Sequence, residues 1–210
     1  MTKGSIALLI AGGGTGGHLY PGIAVARELL RRSPAATVTF AGTSRGLEAR
    51  VVPKEGFELD LIRSAGLKGK SLAARARGAW LVPMGLRDAW GVLSRRRPDV
   101  VMGVGGYSSG PLVMAAAMRR IPTIVLEQNA VPGLTNRILA RMVRAAAVTY
   151  EQTLSYFGRR GFVSGNPVRA EFFESSKFEV QSSRSRRVLI LGGSQGAHAI
   201  NVAMVAAAPE

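Results

Sequence analysis

Short apolar runs alternate with longer segments of helical period along this chain. Residues 5–11 read as a buried strand, and residues 21–32 as a helix with Ile23, Ala24, Leu29 and Leu30 turned inward. A second strand is predicted over 37–41, a short helix over 46–53 and a third strand over 57–62. Residues 72–97 predict a mostly helical stretch interrupted near Pro83, because proline removes a helix hydrogen bond and crowds the preceding turn. Strands over 99–104, 123–127 and 145–149 then alternate with helices over 111–119 and 135–143. Strands apolar on both faces, each followed by a helix, specify a parallel sheet covered on both sides.

The pattern breaks once. Residues 174–187 are polar and hold Ser175, Ser176, Ser182, Ser183 and Ser185, the composition of a linker. A strand over 188–191 and a helix from about 197 to 208 follow. One strand and one helix cannot bury a core by themselves. The expected organisation is a domain over 1–173, a linker over 174–187 and, over 188–210, the first edge of a second, incomplete domain.

Three of the strands run into glycine-rich loops. They are Gly12-Gly13-Gly14-Thr15-Gly16-Gly17-His18, Gly103-Val104-Gly105-Gly106-Tyr107-Ser108-Ser109-Gly110 and Gly192-Gly193-Ser194-Gln195-Gly196. A strand, a glycine turn and a helix start make an anion site, because glycine lets backbone approach a phosphate and the free N–H groups favour negative charge. Gly12, Gly14 and Gly17 also satisfy the G-x-G-x-x-G spacing of dinucleotide-binding domains. The second strand, however, ends in Ala41-Gly42-Thr43-Ser44-Arg45, with no acid for a ribose. Ser44 and Arg45 suit a 2′-phosphate, so an NADP module stays open at this point.

Composition narrows the ligands. The 210 residues are 47% hydrophobic and 20% charged, which fits a folded protein. With no cysteine and two histidines, ordinary disulfides, thiolate zinc and histidine metal sites are excluded. No Asp-x-Asp pair is present to hold a metal-bound diphosphate. The net charge of +15 favours anionic partners. The apolar run at the N-terminus is too short for a signal peptide, and no run of about 20 apolar residues is present to span a bilayer.

Within that frame certain side chains stand out. His18 sits where a loop meets a helix N-terminus, which disfavours imidazolium and suits a proton acceptor, although such a histidine can also simply cap the helix. Glu127-Gln128-Asn129 ends a strand and should face a cleft, or else form a local turn. Arg169, in Gly165-Asn166-Pro167-Val168-Arg169, can neutralise a diphosphate or remain a surface charge. Residues 67–97 gather Lys68, Lys70, Arg75, Arg77, Arg87, Arg95, Arg96 and Arg97 around both tryptophans, Trp80 and Trp90. That combination suits an anionic membrane surface, and equally an ordinary helix pair with a solvated basic face.

Together these segments resemble the MurG family of peripheral glycosyltransferases. The motifs that carry the resemblance are Gly13-Gly14-Thr15-Gly16-Gly17-His18 with Pro21-Gly22, Gly105-Gly106-Tyr107-Ser108-Ser109-Gly110-Pro111, and Glu127-Gln128-Asn129 with Pro132-Gly133 and Asn136. Gly165-Asn166-Pro167-Val168-Arg169 and Gly192-Gly193-Ser194-Gln195-Gly196-Ala197 complete them, with Asn201 beyond. The resemblance implies a GT-B fold, two Rossmann-like domains around a cleft, with the second truncated here. It implies inverting transfer, without metal or other cofactor, of N-acetylglucosamine from UDP-N-acetylglucosamine to an undecaprenyl-diphosphate-linked muramyl pentapeptide. The place implied is the cytoplasmic face of a bacterial plasma membrane, with no nucleic-acid partner.

The resemblance also assigns roles. His18 is the candidate base, with Glu127 in support. Thr15, Gly16, Gly17, Asn129, Arg169 and Ser194 would contact the donor. Gly13, Gly14, Gly105, Gly106, Tyr107, Ser108 and Asn136 would face the acceptor and its diphosphate. Trp80, Trp90, Lys68, Lys70, Arg75 and Arg77 would meet the membrane. The chain departs from the family at Leu126 and His198, where many relatives carry histidine and arginine, and in its length. The 210 residues alone are therefore expected to be inactive. Another lipid-directed GT-B transferase, or a non-catalytic half that recruits a second chain, are the alternatives.

Overall fold

The computed structural model describes residues 5–64, 72–174, 190 and 197–207, with side chains in the long helix described from residue 82 onward. The elements are β1 (Ala7–Ala11), α1 (Gly16–Arg32), β2 (Thr37–Gly42), α2 (Glu48–Lys54), β3 (Glu58–Leu61) and α3 (Leu72–Arg96). They continue with β4 (Val100–Gly103), α4 (Ser109–Met118), β5 (Thr123–Glu127), α5 (Leu134–Leu139), β6 (Ala145–Val148), β7 (Gly161–Val163), α6 (Glu171–Glu174) and α7 (His198–Ala207). Two 3₁₀ turns, Glu151–Tyr156 and Gly158–Arg160, join β6 to β7. The chain divides into two compact units, residues 1–170 and 171–210, with α6 and α7 in the second.

The first unit is built on one seven-stranded sheet in the order β3-β2-β1-β4-β5-β6-β7. Every neighbouring pair is parallel. β1 lies between β2 and β4, pairing Leu9 with Thr39 on one side and Val101 on the other. Its central place follows from its composition, since both faces of a central parallel strand are covered and must be apolar. Alternate β1 side chains serve two cores. Leu9 and Ala11 pack with Ala89, Leu93, Leu112 and Val113, under α3 and α4. Leu8 and Ile10 pack with Leu19, Ile23, Ala26 and Val52, under α1 and α2. Burying each such large aliphatic side chain contributes about 1.5–3 kcal/mol.

The strand and helix order matches the sequence reading, with local corrections. α1 begins at Gly16, five residues before Pro21, which lies inside the helix. Its buried positions are Leu19, Pro21, Gly22, Ile23 and Ala26, whereas Ala24 and Leu30 are only partly covered. α3 runs unbroken through Pro83 rather than stopping there. β7 and the 3₁₀ turns were not anticipated, because β7 is a three-residue edge strand with exposed Phe162 and Val163. Leu126, one of the two departures from the family pattern, is buried in the sheet in one cluster with Ile10 and Ala147. Of the linker over 174–187 only Glu174 is described, as the last residue of α6, and of the strand over 188–191 only Ile190; the third glycine loop lies outside the described residues.

Candidate functional site

β1 and β4 are neighbours, yet their chains leave in opposite directions along the sheet, towards β2 and towards β5. Such a switch point opens a crevice at the carboxyl ends of the strands. The first two glycine loops meet there. A cleft of ≈ 1060 Å³ lies at this edge, lined by His18, Thr43, Ser44, Arg45, Arg63, Gly105, Gly106, Tyr107, Glu127 and Asn136. One wall is apolar, formed by Val82, Leu86, Met114, Leu134 and Ile138.

The glycines of the two loops serve the protein first. A Cβ on Gly12 would stand 2.7 Å from the Gly105 carbonyl oxygen, and one on Gly106 would overlap the Gly13 carbonyl. The loops therefore pack backbone to backbone. A Cβ on Gly105 would stand 2.5 Å from His18 Cδ2, so the imidazole lies directly against the second loop. Gly105 and Gly106 have φ of +97° and +79°, a region costly for residues with a Cβ.

His18 takes its orientation from its own loop. Thr15 is the N-cap of α1, but its hydroxyl makes no capping bond to the helix. It lies 3.0 Å from His18 Nδ1 instead. With Nδ1–H donating to that hydroxyl, Nε2 is free to accept a proton. Burial pushes the His18 pKa below the ordinary imidazole value, against the opposing pull of the Glu127 charge. Burial thus adds to the helix N-terminus in favouring the neutral ring.

Glu127 is a buried hub. Its Oε1 accepts from the backbone N–H and side-chain amide of Asn129 (3.0 and 2.9 Å). Its Oε2 accepts from the Gly133 N–H and the Asn136 amide (3.1 and 3.0 Å). Asn136 also donates to the Leu126 carbonyl, while its buried Oδ1 has no partner among the described residues. Gln128 reaches back to the Val104 carbonyl (3.0 Å) and ties this turn to the second glycine loop.

The other expected residues fall in three groups. Tyr107 packs beside Gly14 and is partly exposed, and its carbonyl accepts the Ser64 hydroxyl at 2.8 Å. Ser108 is fully buried, and its hydroxyl has no partner among the described residues. The Arg169 guanidinium stacks over Tyr20 at 4.7 Å, one turn into α1. Lys68, Lys70 and Ser194 lie outside the described residues, as do the side chains of Arg75, Arg77 and Trp80. Trp90 is 48% exposed on α3, with the Arg119 guanidinium 5.2 Å from its ring.

Sequence reasoning missed two features. Arg63 lines the cleft, held by Asp88 through two side-chain bonds of 2.7 and 2.8 Å and a third from its backbone N–H. The bonds from Arg63 hold the Asp88 carboxyl below the usual carboxylate range. Glu48 is fully buried beneath the first loop. Its Oε2 accepts the Gly14 N–H at 2.8 Å, and its Oε1 accepts the Thr43 N–H and hydroxyl at 2.8 and 2.9 Å. Gly42 and Gly46 around Thr43 were the available signal, since both close on this carboxylate. Among the described residues no group of three or more metal-ligating side chains is gathered, and no helix is long and apolar enough to cross a membrane.

Comparison with known proteins gives consistent matches. Residues 8–148 match the glycosyltransferase family 28 N-terminal domain. The UDP-N-acetylglucosamine--N-acetylmuramyl-(pentapeptide) pyrophosphoryl-undecaprenol N-acetylglucosamine transferase of Anaeromyxobacter sp. (strain K) is 48% identical over 203 residues, 96% of this chain and 53% of that protein. Its counterpart in Myxococcus xanthus is 45% identical, over 95% and 52% of the two chains. The crystal structure of Acinetobacter baumannii MurG superposes with a TM-score of 0.66 at 26% identity, over 78% of this chain and 46% of that one. UDP-N-acetylglucosamine 2-epimerase from Rickettsia bellii shares the fold, with a TM-score of 0.55 at 16% identity over 84% and 49%. The chain thus spans about half the length of the relatives it matches.

Proposed function

The chain belongs to the glycosyltransferase family 28 N-terminal domain family, and from that membership we propose that it serves the transfer of N-acetylglucosamine from UDP-N-acetylglucosamine to the muramyl 4-hydroxyl of an undecaprenyl-diphosphate-linked muramyl pentapeptide. The observation that carries the reading is His18, held by Thr15 against the second glycine loop at the switch-point cleft. Both substrates are diphosphates, and the cleft offers a helix N-terminus, Arg45 and Arg63 to such charge.

The chemistry is a single displacement. His18 Nε2 takes the proton of the attacking hydroxyl as that oxygen bonds to the anomeric carbon. The bond to the UDP oxygen breaks from the opposite face, which inverts the centre. Charge growing on the diphosphate is stabilised by the Gly16 and Gly17 N–H groups, with Arg169 one helical turn away. Thr15 and Asn129 complete the donor side in this reading. Gly105, Gly106, Tyr107 and Asn136 present the acceptor, with Glu127 holding their turn. Inversion, independence of metal and the assignment of sides rest on the resemblance to the MurG family. So does a place on the cytoplasmic face of the plasma membrane, which exposed Trp90 and exposed Arg87 on α3 support.

His18→Ala, made in a transferase complete to the length of the relatives, is expected to lower kcat by at least about a hundredfold. The donor Kd should change by less than threefold, and near-normal kcat would overturn the assignment. NADPH titrated in parallel should not bind; binding of NADPH in place of the sugar nucleotide would favour the dinucleotide reading instead.

A further inference from the structure

The Glu48 carboxylate stands directly behind a loop that is expected to bind an anion. It is fully buried, yet among the described residues no cation is bonded to it. Its partners are two backbone N–H groups and one hydroxyl, which occupy both oxygens. Three glycines make room for it, because a Cβ on Gly13, Gly42 or Gly46 would overlap the Glu48 side chain. β2, the turn after it and the first glycine loop thus converge on one carboxylate, although Glu48 lies 34 residues from Gly14.

Two consequences follow from elementary electrostatics. The Gly14 N–H is already donated and points inward to Glu48, away from the cleft. A phosphate oxygen placed on Gly13 or Gly14 would also face a second anion a few ångströms away, which is costly out of bulk water. The other end of the loop differs. Gly16 and Gly17 open α1, so the helix's own ladder offers their N–H groups no partner. The Thr15 hydroxyl, which in an ordinary N-cap would take one of the helix's first N–H groups, is engaged with His18.

We propose that Glu48 is a positioning residue that fills the Gly13–Gly14 half of the first loop with an internal anion, and so confines the ligand's diphosphate to the Gly16–Gly17 half, beside His18. The inference rests on the reading of this loop as a diphosphate site. In effect Glu48 sets the register of the ligand along the loop, and so its distance from the imidazole.

The test is an amide ¹H–¹⁵N titration of this chain with inorganic diphosphate. In the unmodified chain the Gly16 and Gly17 resonances should shift and the Gly14 and Thr43 resonances should stay. In Glu48→Gln one donor loses its acceptor and the internal charge is gone. Gly14 should then respond, and the diphosphate Kd should fall about three- to tenfold. A residue that merely held the loop together would do the opposite, with weaker binding and Gly14 still silent. That result would overturn the proposal, as would an unmodified chain in which Gly14 responds as strongly as Gly17. If no loop resonance responds in the unmodified chain, the diphosphate-site reading fails and this proposal falls with it. UDP and farnesyl diphosphate as separate probes assign the register to donor or acceptor, and the proposal stands with either.

Discussion

His18 and Glu127 both line the cleft and feel each other's charge, and the protein treats them differently. Burial lowers the His18 pKa, so the folded chain binds fewer protons than the unfolded chain between that value and about 6.5. Stability from this source is complete above pH 6.5 and is lost as pH falls through the folded value. The His18 ring should titrate below 6.5 by NMR, and urea unfolding should show a loss on acidification that His18→Gln removes. A His18 pKa at or above 6.5 would contradict burial as its cause. Glu127 is spent on four donors from the turn that follows it. Glu127→Gln sets an amide NH₂ against two of them, and it should cost about 2–3 kcal/mol in urea unfolding. Unchanged stability would show that the turn holds without its hub.

At the scale of elements, the site depends on how closely two loops approach. The turns after β1 and β4 touch through glycine backbone, and His18 at the start of α1 fills the space over Gly105. Gly105→Ala brings strain at φ +97° and a Cβ 2.5 Å from the imidazole. It should destabilise the fold by about 1–3 kcal/mol and move the His18 pKa back towards 6.5, as the ring is pushed into solvent. Urea unfolding of the variant checks the first effect and NMR titration of His18 the second. An unmoved pKa would mean that the ring has another support. α3 shows a second effect of context, since packing against α4 and the sheet carries the helix through Pro83 despite its missing N–H.

For the molecule as a whole, charge and shape act together. The chain carries +15, and α3 carries exposed Trp90 and, one turn before it, exposed Arg87. Each basic residue near an anionic surface contributes about 1 kcal/mol, and salt weakens that attraction. Vesicles rich in phosphatidylserine or cardiolipin should therefore bind the chain in a sedimentation assay, with binding falling steeply as salt rises. Equal binding to phosphatidylcholine vesicles would remove the electrostatic part of the argument.

Much of the fold could be read from the chain alone. Six of the seven strands and the parallel, doubly covered sheet follow from apolar runs that alternate with helical segments, because local period and covered faces are properties of neighbouring residues. The edge strand Gly161–Val163 escaped because three exposed residues carry no such signal. His18, Glu127 and the two glycine loops were visible as motifs, and placing them at the ends of parallel strands already pointed to one cleft. What the chain by itself could not show is which groups occupy each other. That Gly14 gives its N–H to Glu48, that Gly105 makes room for an imidazole, and that Arg63 is fastened by Asp88 depend on contacts between residues 25 or more positions apart. Sequence period determines which face of an element is covered. Only the packed sheet decides which of the many glycines, carboxylates and arginines meet, and it is those meetings that fill one end of the first glycine loop with Glu48 and set His18 against the second.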